Sequence, residues 1–217
     1  MKHIKTQKEL NSALDILATQ DADMARALRE AGKPVIRKHK AGFSGLFSML
    51  IGQQVSTAAA KSIETKVSAC LPEVTAEAFL NLSETEARAN GLSGQKYSYI
   101  YGIAKEITSG QLDLRQLSKA SDDAVRARLL ALKGIGPWTA NIYLMFGMQR
   151  ADSFPAGDLA LQEGYRRLLG LEARPKPEAL DEIALKWQPL RSAAAYMLWR
   201  YYGHCLNKKD EGLVISK

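Results

Sequence analysis

Two short strings hold the residues best suited to chemistry. The first is Leu132-Lys133-Gly134-Ile135-Gly136-Pro137-Trp138-Thr139-Ala140. Glycines on either side of one aliphatic residue allow a tight turn between helices and let an anion approach bare N–H groups where the second helix starts. Ile135 would plug such a turn into the core, and an ordinary αα turn has the same Gly-x-Gly spacing. The second string is Phe154-Pro155-Ala156-Gly157-Asp158-Leu159, where a Gly/Pro-rich loop delivers an aspartate to a helix start. Asp158 there is either a plain N-cap or a carboxylate held as an anion by the helix N-terminus, and both roles can coexist.

The elements that would position these residues are almost all helical. Leu10, Leu14 and Leu17 fall on one face of an opening helix, and the apolar, Ala-rich stretch from Phe43 to Leu71 reads as a buried helix followed by a second. Ser83 and Glu86 have capping-box spacing, and Gln95–Thr108 forms a helix stopped by Ser109-Gly110. Ser121-Asp122-Asp123 starts a helix with Val125, Leu129 and Leu132 inward, and the pattern restarts at Pro137. Asp158 opens a helix that Gly170 ends, and Glu178 to Tyr202 supplies closing helices interrupted at Pro189. Strand signals are nearly absent. The expectation is an all-α fold.

Composition narrows the partners. The 217 residues carry 30 Lys+Arg against 23 Asp+Glu, a formal charge of +7 that favours a polyanion without selecting DNA over RNA or a membrane surface. No apolar run is long enough to span a bilayer, and Met1-Lys2-His3-Ile4-Lys5 is not followed by a signal-peptide core, so an intracellular, cytoplasmic protein is expected. Cys70 and Cys205 cannot build a four-cysteine metal or iron–sulfur site and read as free thiols.

Taken with Leu50-Ile51-Gly52-Gln53-Gln54-Val55-Ser56 and Trp187-Gln188-Pro189-Leu190-Arg191-Ser192, the two strings follow one another in an order that resembles the HhH-GPD superfamily of base-excision glycosylases, in particular its 3-methyladenine DNA glycosylase II branch. The resemblance implies one module over residues 1–217, with two helical lobes around a DNA-binding cleft. The helix-hairpin-helix would occupy about 123–147, and N- and C-terminal helices would together build the second lobe. The chain starts too late for the β-rich N-terminal domain of some relatives; the residues before Phe43 suffice for one or two helices.

The same resemblance implies roles. Asp158 would be the catalytic carboxylate, stabilising positive charge on the sugar and orienting water, with Asp152 structural. Trp138 and Trp199 would wall the pocket for an extruded base, and Trp187 would pack beside Pro189. Ile142 stands where a relative has an aromatic residue, leaving Tyr196 as the candidate to compensate. The N–H groups of Gly134, Gly136 and Thr139 would bind phosphate. Gln53 and Gln54 would fill the gap left by the flipped nucleotide, and Arg191 would contact a phosphate or buttress the Asp158 loop, with Lys61 and Lys96 as weaker cationic candidates. The carbonyls of Leu130, Leu132 and Ile135 would hold a Na+ or K+ ion; no other cofactor is called for. Trp138 occupies the place where bifunctional members carry their Schiff-base lysine, and Lys133 does not. The expected partner is double-stranded DNA containing a damaged base, met by a monomer.

Overall fold

The computed structural model describes residues 1–37 and 40–214, with side chains through residue 207. In chain order its α-helices are α1 (Gln7–Gln20), α2 (Ala22–Ala31), α3 (Gly42–Gly52), α4 (Thr57–Ala69), α5 (Ala76–Leu80), α6 (Glu84–Ala89) and α7 (Gly94–Thr108). They continue as α8 (Leu114–Leu117), α9 (Asp122–Leu130), α10 (Pro137–Ile142), α11 (Leu159–Leu169), α12 (Pro177–Ile183) and α13 (Arg191–Val214). A π-helical stretch, Tyr143–Gly147, prolongs α10, and a 3-10 turn, Ala184–Trp187, prolongs α12. Among the described residues there is no strand, only an isolated bridge between His3 and Arg150. The chain is all-α.

Local chemistry explains most of the helix starts. Thr6, Asp21, Ser56, Thr75, Ser93, Ser121 and Asp158 each accept a first-turn N–H, satisfying donors that a helix cannot pair internally. Thr6 and Glu9 complete a reciprocal capping box. At Ser83 the serine half of the expected box forms, with its side chain accepting from Glu86 N–H.

The chain divides into two compact units. One comprises Met1–Lys38 and Gln149–Lys217, the other His39–Met148. In the first unit α13 packs against α11, α2 and α1. The inward face predicted for α1 is observed, with Leu10, Leu14 and Leu17 all buried, as are Met24, Leu161, Tyr165 and Leu168 in the same unit. Gly164 permits the α11–α13 contact, because a Cβ there would lie 2.5 Å from the Leu198 carbonyl oxygen. Trp187 fills the centre, 1% exposed, and its indole N–H donates to Asp21 at 2.8 Å. Lys186 pairs with the same Asp21 oxygen at 2.8 Å. Burial would raise the Asp21 pKa, but the bonds from Lys186, Trp187 and Met24 N–H outweigh it and hold the carboxyl below its ordinary value.

The second unit is organised around α3 and α7. Phe43, Phe47, Phe79 and Tyr97 form a continuous run of tilted and edge contacts, with centroids 5.5–6.3 Å apart. The predicted inward set Val125, Leu129 and Leu132 is buried, which seats α9 and the turn that follows it.

Candidate active site and nucleic-acid interface

In the first unit Asp158 is the N-cap of α11. Its Oδ1 accepts from the N–H groups of Ala160 and Leu161 at 2.9 and 3.1 Å and from the indole Nε1 of Trp199 at 3.0 Å. Three donors on one carboxylate oxygen fix its position. Thus Asp158 is a cap, as the local sequence suggests, and it also has a partner brought from 41 residues away.

The loop that delivers Asp158 is braced at both ends. Asp158 N–H donates to Pro155 carbonyl at 2.8 Å, and the buried Gln162 amide donates to Ala156 carbonyl at 2.9 Å. At the loop start, Ser192 Oγ accepts from Ser153 N–H and lies 2.8 and 3.0 Å from the carbonyls of Arg150 and Ser153. Arg191 grips Asp152 through two parallel bonds, Nε to Oδ1 at 2.8 Å and an η-nitrogen to Oδ2 at 3.0 Å. This geometry places Arg191 as the buttress of the Asp158 loop rather than as an open cation reaching for phosphate. The reason is its carboxylate neighbour, and the structural role expected of Asp152 is the other half of that pair.

Trp199 has two further neighbours besides Asp158. The Arg37 guanidinium carbon lies 5.5 Å from its ring centroid, and Tyr196 meets it edge-on at 6.4 Å. The Tyr196 hydroxyl accepts from Arg37 N–H at 3.2 Å and faces Arg37 carbonyl at 3.4 Å. Burial pushes that phenol up in pKa, against the bond from Arg37 N–H. Trp187 is core, as expected.

In the second unit the turn between α9 and α10 brings the predicted glycines together. Gly134 has φ +91°, and a Cβ on it would lie 2.3 Å from the Tyr99 ring, so the position requires glycine twice over. Ile135 is buried and its N–H closes onto Leu132 carbonyl at 3.1 Å. Gly136 caps α10 and Pro137 takes the first helical position, leaving Trp138 and Thr139 in the first turn. The N–H groups of such a turn point outward at the positive end of a helix. Trp138 is half-buried.

Gln53 and Gln54 have opposite fates. The Gln53 amide donates to Gly134 carbonyl at 3.0 Å and to Thr139 Oγ1 at 2.9 Å, which makes it a brace for the hairpin. Gln54 is exposed and held at φ 55°, a left-handed conformation that costs a non-glycine residue on the order of 1–3 kcal/mol. Lys96, a minor candidate from sequence, supports this strained turn. Its ammonium donates to the carbonyls of Ile51 and Gln53 at 2.6 and 2.8 Å, at the C-terminal end of α3, and desolvation lowers its pKa. Lys61 is exposed on α4.

Sequence reading missed Arg37, Asp21 and Ser192. Each owes its role to a partner more than thirty residues away, which no local spacing reveals.

Comparison with known proteins accords with this arrangement. Residues 47–189 match the HhH-GPD superfamily of base excision DNA repair proteins. A DNA-3-methyladenine glycosylase of Bacillus subtilis is 32% identical over 124 residues, 57% of this chain and 41% of its own length. DNA-3-methyladenine glycosylase 1 of Schizosaccharomyces pombe is 34% identical over 114 residues, 52% of this chain and 50% of its own. The matches therefore span half or less of these relatives. Among solved structures, the Schizosaccharomyces pombe 3-methyladenine DNA glycosylase bound to abasic DNA superposes with a TM-score of 0.81 at 26% identity, covering 87% of this chain and 95% of that one. A DNA-3-methyladenine glycosidase from Bacillus halodurans gives 0.77 at 27% identity, with 95% of both chains covered. With the family match extending from α3 to Pro189 and the hairpin and aspartate loop both inside it, the chain belongs to the HhH-GPD superfamily of base excision DNA repair proteins.

Proposed function

We propose that the protein is a monofunctional DNA glycosylase that hydrolyses the N-glycosidic bond of alkylated purines such as N3-methyladenine and N7-methylguanine in double-stranded DNA. The observation that carries this reading is the Asp158 carboxylate, fixed by two helix N–H groups and the Trp199 indole N–H. Breaking the bond from sugar to base develops positive charge on the sugar, and a preorganised carboxylate stabilises it without reorganising at the moment of reaction. The same group can accept a proton from the attacking water. Names of relatives that specify 3-methyladenine support the substrate class.

DNA would be held by the hairpin, with phosphate against the N–H groups of Gly134, Gly136 and Thr139. Gln54, exposed on its strained turn, suits the gap left when the nucleotide is extruded. Trp138 and Trp199 would flank the extruded base. The carbonyls of Leu130, Leu132 and Ile135, at the negative end of α9, are hard oxygen donors suited to Na+ or K+, although Leu132 already accepts from Ile135 N–H. Trp138 occupies the lysine place of bifunctional relatives, so hydrolysis without strand cleavage is the proposed outcome. A cytoplasmic monomer acting on chromosomal DNA completes the proposal.

Asp158→Asn is the test, since asparagine caps a helix as well as aspartate does. Base release measured by mass spectrometry from methylated genomic DNA should fall about 10³-fold, with duplex binding kept. Release at the wild-type rate would remove Asp158 from the chemistry. Tight DNA binding with no release even by the wild type would leave a DNA-gripping protein without this reaction. Borohydride trapping of a covalent DNA adduct would contradict the monofunctional assignment.

A further inference from the structure

The segment Lys33–Arg37 between α2 and α3 is tied down along its length. Lys33 pairs with Asp15 at 2.8 Å, Pro34 carbonyl accepts from Gln7 Nε2 at 3.0 Å, and Ile36 N–H donates to Gln7 Oε1 at 2.9 Å. The Tyr196 hydroxyl accepts from Arg37 N–H at 3.2 Å. These bonds fix the point from which the Arg37 side chain leaves, and its guanidinium carbon lies 5.5 Å from the Trp199 ring centroid. Trp199 donates in turn to Asp158 at 3.0 Å, so one side chain separates this cation from the carboxylate. A cavity of about 480 Å³ opens here, and its lining includes Arg37, Tyr196, Trp199 and Arg200. Arg37 and Arg200 are exposed, and among the described residues neither has a carboxylate partner.

We propose that Arg37, with Arg200 beside it, binds a backbone phosphate of the DNA strand next to the extruded nucleotide. The proposal rests on the glycosylase reading, which puts the reacting sugar at Asp158. That sugar carries a phosphate on either side, so a phosphate must pass within a nucleotide's length of Trp199. A guanidinium matches phosphate through its in-plane N–H donors, two of which can bond at once. Stacking on the indole uses the flat face of Arg37 and leaves those in-plane donors unspent. The tethered backbone and the ring contact also narrow the freedom that Arg37 gives up on binding. An exposed cation–π contact is weaker than a charge-assisted bond to an anion, so an arriving phosphate draws the guanidinium outward. Its charge is then paired, and the indole is left to a cationic purine. Arg200 follows Trp199 on α13 and lines the same cavity, which makes it a second cation for the same anion. Contacts of this kind carry no sequence information but fix the register of the strand. Here the register so fixed is that of the sugar over Asp158.

The test is binding of a duplex that carries a stable abasic-site analogue, measured between about 50 and 200 mM salt. Arg37→Met should raise the dissociation constant about tenfold at the lower salt and reduce the slope of log affinity against log salt by about 1. Arg37→Lys should keep the wild-type slope, since lysine still meets phosphate as a point charge. A structural role alone would weaken binding equally at every salt, so an unchanged slope in Arg37→Met overturns the proposal. Lys8→Met removes an exposed cation of α1 and reports the general field of the protein. A loss of slope there equal to that of Arg37→Met would overturn a local contact as well. Should Arg37→Met not fold, Arg37→Gln supplies the same comparison. Base release from methylated duplex is followed with the same proteins. A changed slope without any release by the wild type overturns the glycosylase reading and leaves Arg37 as a phosphate contact. Wild-type protein that binds no duplex overturns both.

Discussion

The two units hold their functional groups by different means. In the first, Asp158 is placed by side chains that meet across large separations in sequence: Trp199 on its carboxylate, Arg191 on the preceding loop, Ser192 beneath it. In the second, the hairpin is shaped by its main chain, with Gly134 at φ +91° and Gly136 opening α10. Side chains there, Gln53 and Lys96, mostly hold carbonyls, and Gln53 also donates to Thr139 Oγ1. The difference suits the two proposed tasks. A reacting carboxylate needs one fixed position, whereas a phosphate grip needs several N–H groups in a row.

The contrast can be broken at each unit. The largest effect is expected at Gly134→Ala, which meets both a left-handed backbone and the Tyr99 ring. Denaturant unfolding should show a loss of roughly 2–4 kcal/mol, and duplex binding should fall with it. Trp199→Phe keeps an aromatic ring but removes the indole donor from Asp158. A lost hydrogen bond to a charged group should slow single-turnover release roughly 10- to 100-fold while leaving DNA affinity near wild type. An equal fall in affinity would show that the units are not separable in this way.

Lys96→Met leaves the carbonyls of Ile51 and Gln53 without their cation and loosens the turn that carries Gln54. The dissociation constant for lesion-containing duplex should rise about tenfold, in line with the loss of one charge-assisted contact. Single-turnover release at saturating protein should change less, and the reverse pattern would place Lys96 in the chemistry. The smallest effect concerns Asp21. Its folded-state pKa lies below the ordinary value of 3.8, so its contribution to stability is present above that pH and disappears as acid titrates the folded carboxyl. Asp21→Asn keeps an acceptor for Trp187 but loses Lys186, and should cost about 1 kcal/mol at pH 7. The variant should lose less stability than wild type between pH 5 and acid conditions, as urea midpoints would show.

The helices were legible because their signals are local: a Ser, Thr or Asp at most starts, an apolar face at 3.6-residue spacing, glycine at the ends of α11 and α7. Asp158 and the hairpin glycines were legible for the same reason, each lying in one short string. For Gln53 and Arg191 the residue types suggest DNA contact or, for Arg191, a buttress, while the neighbours they hold, Gly134 with Thr139 and Asp152, are brought in by the fold and are not legible in any local string. Arg37 gave no signal at all. An arginine in a loop reads as solvated, and only the Tyr196 bonds show that it is delivered to Trp199.

The division of the chain also bears on the order in which the protein is made. The unit that carries the hairpin is a continuous stretch, His39–Met148, whereas the unit that carries Asp158 joins Met1–Lys38 to Gln149–Lys217. During synthesis α1 and α2 emerge first, yet their packing partner α13 emerges last. The hairpin unit can therefore close on itself while the other still waits for its final helix, since compact units generally fold as they become complete. Asp158 meets the Trp199 indole only after that helix arrives. On the proposed function, a nascent chain would complete its phosphate grip before its carboxylate is set for base release.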